Sequence, residues 1–142
     1  MEFAIVILLA ALIIYYPRKD GPAQIKRRDA GCPILDVTFN GNEEEEMMLD
    51  TGASTTVINK KTADNLKVKP VREEKFIMAS GKVEKFPVGY VNSIEVGGVK
   101  VDNVEVAILN SNKETGLLGQ NFFGKYDITI KRDAVEFNKP SE

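Results

Sequence analysis

Histidine is absent from all 142 residues, and so is tryptophan. The missing imidazole excludes the most chemistry. Without it there is no Ser-His-Asp or Cys-His nucleophile, no His-Glu-x-x-His zinc site, and almost no catalytic zinc site of the common kinds. Hydrolytic chemistry, if there is any, falls to carboxylates. Cysteine is nearly as scarce. Cys32 stands alone, so no disulfide can form within the chain, and a free thiol fits a reducing compartment. Beside Pro33 it reads most simply as a small residue at the entrance to a domain. An excess of either charge is missing too. The 19 Lys and Arg against 21 Asp and Glu leave a formal charge of −2, which gives no basis for nucleic-acid binding. Nothing in the composition asks for a cofactor or a metal. The run Glu43-Glu44-Glu45-Glu46 lacks the alternating Asp/Asn and the Gly of a calcium loop, and reads as a solvated hairpin arm.

What is present divides into unlike parts. Phe3 to Tyr16 is continuously apolar and uncharged. As a helix it would be about 21 Å long, short of the roughly 30 Å hydrocarbon core. A cleaved signal peptide therefore competes with a membrane anchor. A signal needs a positive n-region, whereas only the α-amino group and Glu2 precede this run. Tyr15-Tyr16 suits an interfacial aromatic belt better than a cleavage site. The favoured expectation is an N-terminal apolar helix over residues 1–17, serving as a single-pass anchor. Arg18, Lys19, Lys26, Arg27 and Arg28 follow it, so the positive-inside rule puts the remaining domain on the cytoplasmic side. Residues 18–32, with Gly21-Pro22 and Gly31, read as a basic linker.

From residue 33 to 142 the pattern is that of short strands. Ile34 to Phe39 alternates, Asn40-Gly41 is a strong hairpin signal, and Glu43 to Leu49 returns. Asn59 is placed to cap one short helix running to Leu66. Val71–Met78 and Lys85–Val91 follow as strands. Val96-Gly97-Gly98-Val99 then marks a tight hairpin into Val101–Leu109. Tyr126–Ile130 and Ala134–Phe137 form a last hairpin, turning near Arg132-Asp133. Turn signals every ten or so residues predict an all-β domain closed like a barrel.

The chemistry concentrates in Asp50-Thr51-Gly52-Ala53-Ser54, set between the apolar runs Met47-Met48-Leu49 and Val57-Ile58. A carboxylate at the end of a buried strand can be held for acid–base work. Thr51 can hydrogen-bond and brace such a turn, and Gly52 permits a close approach that a Cβ would block. The bland alternative is a polar strand-to-turn junction with a satisfied Asp. A second motif, Gly116-Leu117-Leu118-Gly119 followed by Gln120-Asn121-Phe122-Phe123, lies further along.

Together these motifs resemble those of the retroviral-type aspartic proteases, the retropepsins, over about Pro33 to Phe137. The resemblance implies Asp50 as the catalytic carboxylate, with Thr51 and Gly52 in its loop. It implies that Leu117, Leu118 and Gly119 pass behind that loop and support it. It further implies a substrate-covering flap at Phe76 to Val83, with Ala79, Ser80 and Gly81 at its tip. The implied substrate is a polypeptide, and no metal or cofactor takes part. The Ser after Asp-Thr-Gly-Ala is a variant known in the family, while the flap has Ser where many cellular relatives carry Asn.

Only Asp50 is followed by Thr-Gly or Ser-Gly; Asp36, Asp64, Asp102, Asp127 and Asp133 lack that context. Carboxylate hydrolysis needs two carboxylates sharing one proton. A second copy of the chain must supply the other, across a two-fold axis. The expectation is thus a homodimeric endopeptidase in which two Asp50 carboxylates activate water. The competing expectation is a retropepsin-like dimerisation or peptide-binding module without catalysis.

Overall fold

The structure is a computed structural model that describes residues 21–140. The apolar run at residues 3–16 lies outside them. Among the described residues no helix is long and apolar enough to cross a membrane.

The first long hairpin forms where alternation and turn chemistry agree. Strand β3 (Cys32–Phe39) buries Leu35, Val37 and Phe39 on one face and pairs antiparallel with β4 (Glu43–Leu49). Asn40 and Gly41 carry φ of 52° and 82°, the two left-handed positions that a type I′ turn requires. On β4 the apolar Met47 and Leu49 point inward, and the glutamates ahead of them occupy the more exposed end. That arm is not merely solvated. Lys26 Nζ lies 3.2 Å from Asp36 Oδ1 and 3.0 Å from Glu46 Oε2, and Arg27 also pairs with Glu46. Arg27 and then Lys26 hold the Glu46 carboxyl below its ordinary range, while Glu46 and Asp36 raise Lys26.

Strand β5 (Thr56–Asn59) leads into helix α1 (Lys60–Asn65), capped as expected: the Thr62 amide donates to Asn59 Oδ1 at 2.8 Å. β6 (Arg72–Ile77) and β7 (Val83–Val96) make a long hairpin. A second I′ turn at Gly97 and Gly98, φ 58° and 80°, joins β7 to β8 (Val99–Leu109). β9 (Gly116–Leu118) is followed by a second helical turn, α2 (Gln120–Phe123), where the sequence suggested only an aromatic segment. Its helicity comes from Gly119, whose carbonyl accepts from the amides of Phe122 and Phe123. β10 (Asp127–Ile130) and β11 (Ala134–Asn138) form the last hairpin.

These strands are mostly in one eight-stranded sheet, ordered β2-β3-β4-β9-β5-β8-β7-β6, where β2 is Arg27–Asp29. Thr38 pairs with Glu95 and Phe39 with Ile94, so β3 also meets β7 and the sheet folds back on itself at that corner. The apolar interior centres on Leu35, Phe39, Ile58, Ile94, Val106 and Leu118, none more than 0 % exposed. A smaller sheet, β1-β11-β10, where β1 is Ala23–Gln24, lies beside it.

The N-terminal segment departs from expectation. Residues 21–32, which composition suggests to be a solvated linker, are built into both sheets. β1 (Ala23–Gln24) pairs with β11, and β2 (Arg27–Asp29) pairs with β3. The Arg28 guanidinium donates to the carbonyls of Gly31, Lys131 and Arg132. Backbone pairing needs no apolar side chain, so strands of two and three residues leave no period to read. The domain begins earlier than Pro33.

Candidate active site

Asp50 follows the last residue of β4, and the loop to β5 turns tightly back on it. The Gly52 amide donates to Asp50 Oδ1 at 2.9 Å, and the Ala53 amide to the Asp50 carbonyl at 3.2 Å. The Asp50 amide in turn donates to the Leu118 carbonyl at 3.2 Å. The carboxylate is half-buried and one oxygen is fixed, which leaves the other for chemistry. Among the described residues it has no ion-pair partner.

The Leu-Leu-Gly element forms β9, which pairs with the strands flanking the Asp50 loop. β9 runs parallel to β4 (Leu49 opposite Leu118) and antiparallel to β5 (Val57 opposite Leu117), so it is threaded between the strands on either side of the Asp50 loop. Leu118 is fully buried. Gly119 is needed for a close approach: a Cβ there would sit 2.7 Å from the Thr55 carbonyl. Gly52 is less constrained than expected. A Cβ on it would meet Asp50 Oδ1 at 3.4 Å, an ordinary contact, so nothing within one chain blocks it. Thr51 also differs. Its backbone carbonyl is the braced atom, accepting from Gln120 Nε2 at 2.8 Å, and its hydroxyl has no hydrogen-bond partner among the described residues.

Three further residues hold the loop. The amides of Gln120 and Asn121 donate to the carbonyls of Ala53 and Ser54 at 2.8 and 3.1 Å. Asn121 Oδ1 accepts from the Thr56 amide and hydroxyl, and Thr56 Oγ1 accepts from the Gly119 amide at 3.1 Å. Sequence reasoning missed Thr56, Gln120 and Asn121. The available signal was the polar pair Gln-Asn wedged between Leu-Leu-Gly and Phe-Phe.

Ala79, Ser80 and Gly81 lie exposed at the tip of the β6–β7 hairpin. Ile77 pairs with Val83, the Met78 amide donates to the Lys82 carbonyl at 2.8 Å, and Gly81 takes φ 84°. Ile77 is 81 % exposed, an apolar side chain with nothing yet against it. The remaining described aspartates are elsewhere: Asp29 ends β2, Asp36 is tied to Lys26, Asp64 sits on α1, and Asp102 is on β8 near Lys100. Asp127 and Asp133 belong to the last hairpin. Among the described residues no three His, Cys, Asp or Glu side chains gather as a metal site.

A family model described as "gag-polyprotein putative aspartyl protease" matches residues 35–125, a stretch that contains the Asp50 loop, the hairpin tip and the Leu-Leu-Gly strand. The chain belongs to this aspartyl protease family. The crystal structure of a retropepsin-like aspartic protease from Rickettsia conorii aligns with a TM-score of 0.62. The alignment covers 84% of this chain and 91% of that one, at 22% identity. At that identity the likeness is one of fold: this is a mostly β, retropepsin-like aspartic protease fold with short helices. No curated protein matches. The family match stops short of β1, β2, β10 and β11, so this retropepsin-like chain carries its N-terminal strands and its last hairpin outside the matched stretch.

Proposed function

We propose that the protein is an aspartic endopeptidase working as a homodimer, with one Asp50 from each copy in a shared site. The observation that carries this reading is the intact Asp50 loop. One carboxylate oxygen is pinned by Gly52 N–H, and the Leu-Leu-Gly strand and α2 brace the backbone behind it. Such a turn can also serve shape alone, and what favours the catalytic reading is that the loop lies within the stretch matching the aspartyl protease family.

One carboxylate is not enough, because a single group cannot both take a proton from water and give one to the scissile carbonyl. Two like charges a few ångströms apart cannot both ionise cheaply, so such a pair retains one proton. The ionised member takes a proton from water. The water oxygen attacks the peptide carbon, and the protonated member donates to the carbonyl oxygen. The resulting diol then collapses: the carboxyl that took the water's proton gives it to the departing amine nitrogen, and the C–N bond breaks. The other carboxylate recovers a proton from a diol hydroxyl, so no acyl-enzyme forms. Ala79, Ser80 and Gly81 close over an extended polypeptide and exclude water. Supporting the dimer, β11 is flanked on both sides within its own chain, whereas β10 is an edge strand with Ile130 44 % exposed.

Residues 3–16 are proposed as a membrane anchor, with the domain on the cytoplasmic side. The support is the uncharged apolar run, now with Arg18 and Lys19 as its flanking charges. Lys26, Arg27 and Arg28 are engaged inside the domain and argue less for orientation.

The test is hydrolysis of a quenched peptide pool by purified protein, compared with Asp50→Asn. The expected result is metal-independent turnover at acidic pH, abolished in the variant while its circular dichroism and sedimentation stay unchanged. Equal turnover by the variant would remove Asp50 from the mechanism.

A further inference from the structure

A groove of about 450 Å³ opens at the root of the β6–β7 hairpin, within the size range of ligand sites. α1 forms one wall, and Phe86 and Pro87 of β7 form the other. Ala63, Val68 and Ile108 supply apolar lining. No residue of the Asp50 loop or the Leu-Leu-Gly strand lines it. The wall at Val68 is set by Gly89: a Cβ there would meet Val68 Cγ1 at 2.6 Å and the Lys69 carbonyl at 2.8 Å. Only a glycine lets residues 68–70 lie flat against β7 and leave the groove open beside them.

Its rim is cationic. Lys60 and Lys85 line it, with Asp64 as the one carboxylate, and Lys61, Lys67 and Lys69 stand nearby on α1 and the segment after it. All five lysines are exposed, and none has an ion-pair partner among the described residues. Lys26, Arg27, Arg72, Lys100 and Lys131, by contrast, each face a carboxylate. Around this groove five lysines outnumber the one lining carboxylate, in a chain of net charge −2.

We propose that the groove is a second polypeptide-binding site, taking an acidic, apolar stretch of the substrate that lies outside the scissile segment. Its role as a substrate site rests on the protease reading above. The chemistry selects the occupant. A bare anion would satisfy the lysines and leave Phe86, Val68 and Ile108 uncovered, while a flat membrane surface could not enter a concave slot. A segment alternating carboxylates with aliphatic side chains does both, placing charge between Lys60 and Lys85 and apolar bulk on the floor. Because Phe86 packs on Phe76 across the hairpin, ring centroids 5.9 Å apart, the bound segment also stiffens the arms that carry residues 79–81.

The probe is a fluorescent peptide alternating glutamate and leucine, titrated by anisotropy against Asp50→Asn protein so that it is not cleaved. Saturable binding is expected, weakened about tenfold by Lys60→Glu with Lys85→Glu, and weakened less by the two Gln variants, which also guard against misfolding. A lysine–leucine peptide should not bind. Equal binding of both peptides, no change on charge reversal, or displacement by a transition-state analogue seated at Asp50 would each overturn the proposal. So would a preference for anionic vesicles over the peptide. In the active protein, an acidic extension on a cleavable peptide should lower KM, and Lys60→Glu should cancel that gain while leaving the unextended peptide unaffected. If no peptide is cleaved at all but the anisotropy result holds, the protease reading fails and the groove stands.

Discussion

Asn121 Oδ1 accepts two hydrogen bonds from Thr56, from the amide at 2.9 Å and from the hydroxyl at 2.8 Å. Its amide nitrogen donates onward to the Glu105 carbonyl on β8 at 2.7 Å. A backbone N–H can only donate, so the Asn121 oxygen must face Thr56. The Thr56 hydroxyl is thereby fully used, donating to Asn121 and accepting from Gly119, at 0 % exposure. One side chain on α2 thus fastens the end of the Asp50 loop to β8.

Asn121→Ala is expected to leave two donors of the buried Thr56 without their acceptor. Losing such a partner costs about 1–3 kcal/mol. Urea unfolding should show a loss in that range with an unchanged m-value. Asn121→Asp keeps the acceptor but turns an oxygen toward the Glu105 carbonyl, so it should recover only part of the loss. Full stability of Asn121→Ala would show that water replaces the amide.

The two loop glycines should separate cleanly. In Gly119→Ala the new methyl must displace backbone at Thr55, because the contact would be 2.7 Å. Overpacking of this kind typically costs about 1–3 kcal/mol. Gly52→Ala meets only an ordinary 3.4 Å contact and should leave the stability of a single chain close to wild type. Under the proposed dimeric mechanism its peptidase activity should nevertheless fall, because there a second chain and a substrate approach the same loop. Thermal melts at dilutions that keep the protein monomeric, set beside turnover at high concentration, distinguish these effects. A destabilised Gly52→Ala monomer would count against this account.

Much of the fold was legible because side-chain alternation and turn chemistry pointed the same way. Leu35, Val37 and Phe39 alternate into the core, Asn40-Gly41 and Gly97-Gly98 take the φ that their turns require, and Asn59 caps α1. The tight strand-to-loop junction at Asp50 was legible from its motif. The braces were not, because Thr56, Gln120 and Asn121 act through hydrogen bonds between segments some 65 residues apart, for which a single sequence carries no period. β1 and β2 were hidden for another reason. Their stabilisation lies in backbone bonds and in Arg28 reaching the Lys131 and Arg132 carbonyls, while their side chains look like those of a solvated linker.

That hidden pairing changes where the chain can be cut. A protein beginning at Gly21 keeps β1 on β11 and β2 on β3, and should unfold cooperatively. One beginning at Pro33 loses both ladders, the buried Ala23, and the Lys26–Asp36 and Lys26–Glu46 pairs. It also bares the edge of β11. The longer deletion should lower the urea midpoint markedly and promote aggregation through the exposed strand. Hydrogen exchange should show lost protection at Val135. Equal midpoints for the two would mean that these short strands contribute nothing to stability.

Mixing subunits tests the shared site most directly. If each site needs one Asp50 from each chain, an Asp50→Asn subunit should poison a wild-type partner. With equal amounts and complete exchange, about a quarter of the dimers retain two wild-type carboxylates, and turnover should fall to about that fraction. A monomeric enzyme would retain about half, because its wild-type copies would be untouched. Varying the ratio separates the two outcomes by shape: a quadratic decline requires both carboxylates in one site, and a linear decline places the whole mechanism in one chain. Exchange must be followed independently, for example by energy transfer between labelled subunits, because a dimer that exchanges slowly gives the linear curve for a kinetic reason. With exchange verified, a linear decline would leave Asp50 without its second carboxylate and end the dimeric mechanism.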